Sequence, residues 1–468
     1  MHDAPDSMTT QNEIVAAFWA ACDGSPDMLS RLRFRNQGLL QSVFAVDVFA
    51  SASVAAAGLA VASLRRCMDG GSAKAPELVV DRRLTSMWFG MSIRPQGWSL
   101  PPVWDAVAGD YRARDGWIRL HTNAAQHRAA ALAVLQTPAQ RDAVAAAVAT
   151  WDAGALESAV VAQGGCAGAM VSWQHWQRHP QGQAVLREPL LQWQSATAAA
   201  QADWVFNPVR PLAGIRVLDM TRILAGPVAT RVLASLGAEV LRIDPPGWEE
   251  PVLEPEITMG KRCARLDLRQ THERALWERL LRGADVLVHG YRSDALDAMG
   301  LDVDRRQQLR PGLIDVSLDA YGFTGPWKAR RGFDSIVQMS MGFAEQGQRS
   351  AGADKPVPLP VQALDQATGY LMAAATIRAL EQRVASGLGS IVRASLARTG
   401  AVLMLAGAQA SAPAEPALPE SPSDWADGIE VTPWGPARRV RWPLHVDGVA
   451  MGWHSAATSL GSSPPAWA

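Results

Sequence analysis

Residues 211–244 read PLAGIRVLDMTRILAGPVATRVLASLGAEVLRID. Residues 215–218 are a short apolar run ending at Asp219, as a buried strand would be. Residues 221–227 make a turn with Gly226 and Pro227 at its far end. Residues 228–236 carry apolar side chains at helical spacing, and Gly237 ends that run. Residues 239–243 are a second apolar strand. Strand, loop, helix, strand is the opening unit of a parallel α/β sheet, which offers a ligand crevice at the carboxyl ends of its strands. The chain downstream extends the unit, with strands expected at 260–268, 284–288 and 313–318 and helices at 273–282 and 334–343. A Gly/Pro-rich stretch at 347–360 then leads to a long helix over 366–383 and a strand at 391–396. The fold class expected is α/β: a Rossmann-like large domain over 211–409, with a smaller α/β (α+β) domain beside it.

Upstream, residues 1–12 are polar and read as disordered, with short helices at 13–21 and 27–35. An Ala-rich buried helix follows within 42–66, then a Gly-containing turn at 67–76 and a strand at 77–81. Residues 1–104 are thus a helical N-terminal segment. The small domain is expected over 105–191, with strands near 115–122 and 164–173 and helices at 126–135, 138–150 and 153–163. Residues 192–210, polar and Ala-rich, read as a linker. Residues 410–468 read as an Ala/Pro/Ser-rich linker to 424 and a return segment with a strand at 437–442.

At 468 residues the chain can bury two or three cores, and 48% apolar with 19% charged residues describes a folded, water-soluble protein. A net charge of -1 gives no electrostatic reason to expect nucleic acid or a membrane surface as partner. Cys22, Cys67, Cys166 and Cys263 lack CxxC spacing, so reduced thiols are expected, with no disulfide framework and no metal site. His175, His179 and His289 show no metal-ligand spacing. The polar, acidic start is no signal peptide, and a cytoplasmic protein is expected.

One internal echo stands out. AVDVFASASVAAAGLAVASLR (45–65) lies over ALDQATGYLMAAATIRALEQR (363–383) without a gap, pairing Asp47 with Asp365, Ser51 with Gly369 and Arg65 with Arg383. Two Ala-rich helices that each start after an Asp cap would look similar too. The strand expected after each helix favours duplication.

The 211–244 stretch resembles the opening of the class III CoA-transferase family, the group of formyl-CoA transferase, carnitine CoA-transferase and α-methylacyl-CoA racemase. The resemblance continues in the family's order through MGKRCARLDL, ADVLVHGYRSDALDAMGLD, YGFTGPWKARRGFDSIVQ and ALDQATGYLMAAATIRALEQR, covering about 211–396. DGWIRLHTN through VSWQHWQRHPQG is similar to the family's small domain, which usually follows the large-domain segment. TPWGPARRVRWPLHVDG is similar to the piece that normally follows the small domain. The parts therefore stand in a rearranged order, with residues 42–81 as a partial repeat.

The resemblance implies an acyl-CoA:carboxylate CoA-transferase acting through an aspartyl anhydride and an aspartyl-CoA thioester, because one carboxylate can hold the acyl group and then CoA. It assigns the nucleophile to Asp365, with Gly369 completing the D-x-x-x-G motif; read from the residues alone, Asp365 is equally a helix cap. It assigns the CoA nucleotide to Thr221, Arg222, Leu224, Ala225, Arg242, Lys261, Arg262, Tyr291 and Arg292, cations and loop residues suited to phosphates, though a solvated basic rim would look alike. The family's Asn-Phe is Gly290-Tyr291 here. Coenzyme A and acyl-CoA enter as substrates with a small carboxylic acid, no cofactor is permanently bound, and a homodimer is possible. A racemase is disfavoured, since Phe333 stands where those enzymes carry a proton-transferring His. A nucleotide-cofactor oxidoreductase lacks its G-x-G-x-x-G between 219 and 227. A silent CoA-binding paralogue stays open, and Asp47, beside Phe49 and without the Gly, reads as a relic.

Overall fold

The computed structural model describes residues 7–70, 74–198, 204–292, 295–408 and 419–468. A seven-stranded sheet forms the centre, in the order Lys261–Arg265, Glu239–Asp244, Arg216–Met220, Val286–His289, Ile314–Asp319, Leu388–Ser395, Gln192–Ala198. The first six strands are parallel. Numbered by their place in the chain they run 3-2-1-4-5-6, the dinucleotide-fold order, so the Rossmann-like expectation holds. The order reverses between Arg216–Met220 and Val286–His289, and ligands of such sheets bind outside the strand ends at that point.

The seventh strand corrects the linker expected over 192–210. Gln192–Ala198 pairs antiparallel with Leu388–Ser395 and closes the sheet edge. An edge strand has one neighbour, so polar, half-exposed residues suffice there. Residues 27–35 are likewise a short 3-10 turn, Pro26–Arg31, followed by a strand, Leu32–Arg35, rather than one helix. The first helix begins at Ser7, inside the stretch read as disordered, and a helix at Phe343–Ala351 enters the stretch read as Gly/Pro-rich. The linker expected from 410 lies outside the described residues as far as 418, and residues 71–73 of the expected 67–76 turn lie outside them too.

Two long helices pack against each other beneath the sheet. Val46–Met68 carries Asp47 and Ala363–Ser386 carries Asp365; both are buried almost throughout. Alanine costs no side-chain entropy in a helix and keeps it thin, so the two can lie close. Arg378 donates to Ser63 Oγ (2.9 Å), which donates to Glu381 (3.1 Å). Val46–Met68 is long and apolar enough to cross a bilayer, but 94% of its most apolar window is buried inside this protein.

The echo extends beyond the helices. Val46–Met68 leads to the strand Leu78–Asp81, whose Asp81 caps the helix Arg82–Gly90 at Leu84 N. Ala363–Ser386 leads to Leu388–Ser395, whose Ser395 caps Leu396–Leu405 at Arg398 N. Leu78–Asp81 has a parallel neighbour, Leu32–Arg35, and an antiparallel one, Leu444–Val446. Leu388–Ser395 is flanked in the same way, by Ile314–Asp319 and Gln192–Ala198.

A separate antiparallel sheet, Gly109–Arg112, Trp117–Leu120 and Ala167–Ala169, packs under Ala125–Leu135, Arg141–Val148 and Ala153–Ala162 around Ile118, Val144, Leu156 and Val160. The tail pairs Gly435–Arg439 with Ile93–Pro95, and Trp453 Nε1 donates to Arg231 O (3.0 Å).

Candidate active site

A cavity of ≈ 330 Å³ lies at the reversal point of the large sheet. One side is the loop after Arg216–Met220, with Thr221, Arg222, Leu224 and Ala225, together with Gly290, Tyr291 and Arg292 beyond Val286–His289. Asp319, at the end of its strand, and residues 330–333 form the other side. The helix Ala125–Leu135 contributes Gln126 and His127. Arg222 is sandwiched between the rings of Trp248 (4.7 Å) and Tyr291 (4.9 Å), which fixes its guanidinium at the lip. Ile223 has φ 66°, a left-handed conformation that a β-branched residue adopts only under restraint, and Glu250 Oε1 holds its N–H.

Asp365 lines this cavity and is 7% exposed. It sits in the first turn of its helix, but its carboxyl does not cap that turn. Asp334 does so from another helix: its Oδ2 accepts the N–H of Leu364 (2.8 Å) and of Asp365 (3.0 Å), and Gln338 Nε2 donates to its Oδ1. Burial, and then the neighbouring Asp334 charge, push the Asp365 carboxyl well above the ordinary range, while the N–H of Ala225 favours its ionised form. Burial raises Asp334 to about 6 against the hydrogen bonds it accepts.

The sequence-derived set divides. Thr221, Arg222, Leu224, Ala225, Tyr291, Arg292 and Asp365 come together around the cavity. Lys261 and Arg242, which the resemblance assigned to the CoA nucleotide, do not line it and are turned inward. Lys261 is 1% exposed, and its Nζ donates to Asp219 Oδ2 (3.0 Å), Thr230 Oγ1 (2.6 Å) and Pro227 O (3.0 Å). Arg242 is fully buried on Asp244 and Glu250. Two cations this deep must be paired, and Asp219, Asp244 and Glu250 pair them. Arg242 and Asp244 alternate onto one face of one strand, a pattern that could have marked them as an internal pair. Arg262 lies at the sheet edge, 3.7 Å from Glu239, away from the cavity.

Gly369 does not line the cavity either. A Cβ there would stand 2.5 Å from Ala225 O and 2.7 Å from Val228 Cβ. The glycine lets the helix Ala225–Ser235 close onto the Asp365 helix and brings the Ala225 N–H to the carboxyl.

Three residues that sequence reasoning missed belong to the site. Asp334 holds the start of the Asp365 helix. Asp319 lines the cavity as a carboxyl driven well up by burial, its Oδ1 accepting the Tyr321 N–H (2.8 Å). His127 reaches in from the small domain. Nothing local in the sequence ties these to Asp365. Among the described residues no group of three His, Cys, Asp or Glu is placed to hold a metal ion.

Residues 212–424 match the family model described as CoA-transferase family III. A probable fatty acyl-CoA transferase of Mycobacterium tuberculosis is 34% identical over 204 residues, 41% of this chain and 51% of the relative. Human succinyl-CoA:glutarate CoA-transferase is 31% identical over 213 residues, 43% of this chain and 48% of the relative. The crystal structure of the mycobacterial protein aligns with TM-score 0.38 and 32% identity over 42% of this chain and 57% of that one. The chain thus spans about half the length of the curated relatives it matches.

Proposed function

We propose that this chain is an acyl-CoA:carboxylate CoA-transferase with Asp365 as nucleophile. The observation that carries the reading is the division of labour at the helix start: Asp334 takes the N–H groups, and the Asp365 carboxyl is left to the cavity. The carboxylate attacks the thioester carbonyl, and the C–S electron pair leaves on CoA sulfur, giving a mixed anhydride. The thiolate then attacks the Asp365 carbonyl, releases the donor acid and leaves an aspartyl-CoA thioester. The acceptor carboxylate repeats these steps in reverse, and Asp365 is restored.

The nucleotide end of CoA is placed at Thr221, Arg222, Leu224, Ala225, Tyr291 and Arg292, where two guanidinium groups and a loop opening a helix favour phosphates. Arg331 stands on the opposite wall and suits an anionic acceptor, while neighbouring Arg330 is engaged by Glu157 and the Trp327 ring. The acyl donor and the small carboxylic acceptor are proposed as classes. Residues 105–191 act as the small domain that closes the cavity over the 211–409 domain. The four free cysteines fit a reducing, cytoplasmic setting, and a homodimer is compatible with the fold. Phe333 cannot carry a proton, which disfavours racemisation.

The test is turnover of a panel of acyl-CoAs with carboxylic acids, alongside calorimetric titration with CoA and NAD. The reading expects a new acyl-CoA in at least one pairing and CoA bound in preference to NAD. Tight NAD binding without CoA binding contradicts it, and CoA binding with no transfer across the panel marks a silent paralogue.

A further inference from the structure

We propose that His127 is a second catalytic residue, donating a hydrogen bond from Nε2 to the carbonyl oxygen of the acyl group that Asp365 attacks; this rests on the reading of Asp365 as nucleophile. His127 lies in the first turn of Ala125–Leu135 and lines the cavity that Asp365 lines. The residue is 4% exposed, and its Nδ1 is buried without a partner. With Nδ1 sealed, Nε2 is the ring nitrogen left to open on the cavity. The ring is held edge-on to Phe333 (5.7 Å, 64°), and His121 stacks on Phe333 at 3.8 Å. These contacts fix the direction of the imidazole.

The sealed nitrogen decides the tautomer. Neutral imidazole carries its proton on one nitrogen and a lone pair on the other. The Nδ1 site offers no acceptor for a proton, and an N–H left unsatisfied there would carry its full desolvation cost. The proposal accordingly puts the lone pair on Nδ1 and the proton on Nε2. Burial, and then the positive charge of Arg331, push His127 down to about 4, so the ring is neutral near pH 7.

Neutrality suits the task. An imidazolium in this cavity would ion-pair with the Asp365 carboxylate and weaken the nucleophile. A neutral N–H makes its strongest bond to the oxygen on which negative charge develops in the tetrahedral transition state. As the Asp365 O–C bond forms and the C–S bond breaks, the electron pair leaves on sulfur, and the Nε2 proton stays on His127 throughout.

Rapid quench of the full-length protein with an acyl-CoA that it turns over, followed by mass spectrometry of the Asp365 peptide, measures the rate of adduct formation. His127→Phe keeps a ring against Phe333 and removes the donor, and His127→Gln restores an amide donor. Calorimetric CoA affinity and Tm report whether each variant is folded and binds. The proposal expects His127→Phe to form adduct about 100-fold slower with CoA affinity retained, and His127→Gln to recover much of the loss. Adduct formation in His127→Phe at the wild-type rate overturns the role of His127 alone, as does equal slowing in both variants. Absence of any Asp365 adduct in wild type overturns the nucleophile reading and this proposal with it.

Discussion

The Asp47 and Asp365 helices share one arrangement of helix, strand and capped helix, and their N-terminal ends differ. At Asp365 the backbone donors are taken by Asp334, the glycine one turn on admits a neighbouring helix, and the carboxyl faces a cavity. At Asp47 the carboxyl accepts the N–H of the next residue, Val48 (3.0 Å), and the backbone of Gly38 is packed so closely that an added Cβ would stand 2.3 Å from Asp47 Oδ2. Ser51 stands where Gly369 does, and its hydroxyl donates back to Asp47 O (2.7 Å). Burial raises both carboxyls, so desolvation does not separate them. What separates them is an outside cap on one helix and a covering loop at Gly38 on the other. A reactive carboxylate needs room in front of it and another group to serve the helix end behind it.

The largest expected effect breaks this comparison at its centre. Asp365→Asn keeps the shape and removes the anionic oxygen, so transfer should fall by several orders of magnitude in steady-state assays. Asp47→Asn should leave transfer unchanged. The next largest is Gly369→Ala. The new methyl has nowhere to go between the helices, and overpacking of this kind costs about 1–3 kcal/mol, read as a lower urea midpoint. Transfer should drop as the Ala225 N–H is displaced. The matched change Ser51→Ala should cost under about 0.5 kcal/mol, the scale of an ordinary helix substitution.

How much of this was legible in the sequence differs between the same two regions. Strands such as Val286–His289 and Arg216–Met220 carry short apolar runs, and the loop–helix unit at 211–244 has its own punctuation, so much of the large sheet and the loop lining its crevice could be read directly. Gln192–Ala198 and Leu32–Arg35 escaped because an edge strand buries only part of itself and its composition stays polar. Lys261 and Arg242 looked like phosphate ligands because a basic residue carries no mark of the direction it faces; Asp219, Asp244 and Glu250 turn them inward. Asp334 and His127 were invisible as site residues for a topological reason. Their roles depend on contacts across 31 residues in one case and across two domains in the other.

Asp334→Asn sharpens the comparison through pH. Removing a like charge beside Asp365 lowers its pKa, so the rise of transfer rate with pH should move to lower pH. Stability should respond with a definite sign. The Asp334 carboxyl is raised from 3.8 to about 6, so its contribution is fully present below 3.8 and is lost as pH climbs through 6. The variant should flatten that fall in Tm, at a cost of about 1 kcal/mol for the weaker cap. The smallest effect is expected at Asp47. Its raised pKa means that the ionised form burdens the fold at neutral pH, so Asp47→Asn should leave Tm unchanged or slightly higher near pH 7, with no difference at pH below 3.8.

The most direct test is to trap the covalent intermediate. The wild-type protein is mixed with an acyl-CoA, quenched in acid and digested, and the peptides carrying Asp365 and Asp47 are compared by mass spectrometry. An acyl or CoA adduct on the Asp365 peptide, with the Asp47 peptide unmodified, is the predicted result. Modification of Asp47, or transfer with neither aspartate labelled, would contradict the account.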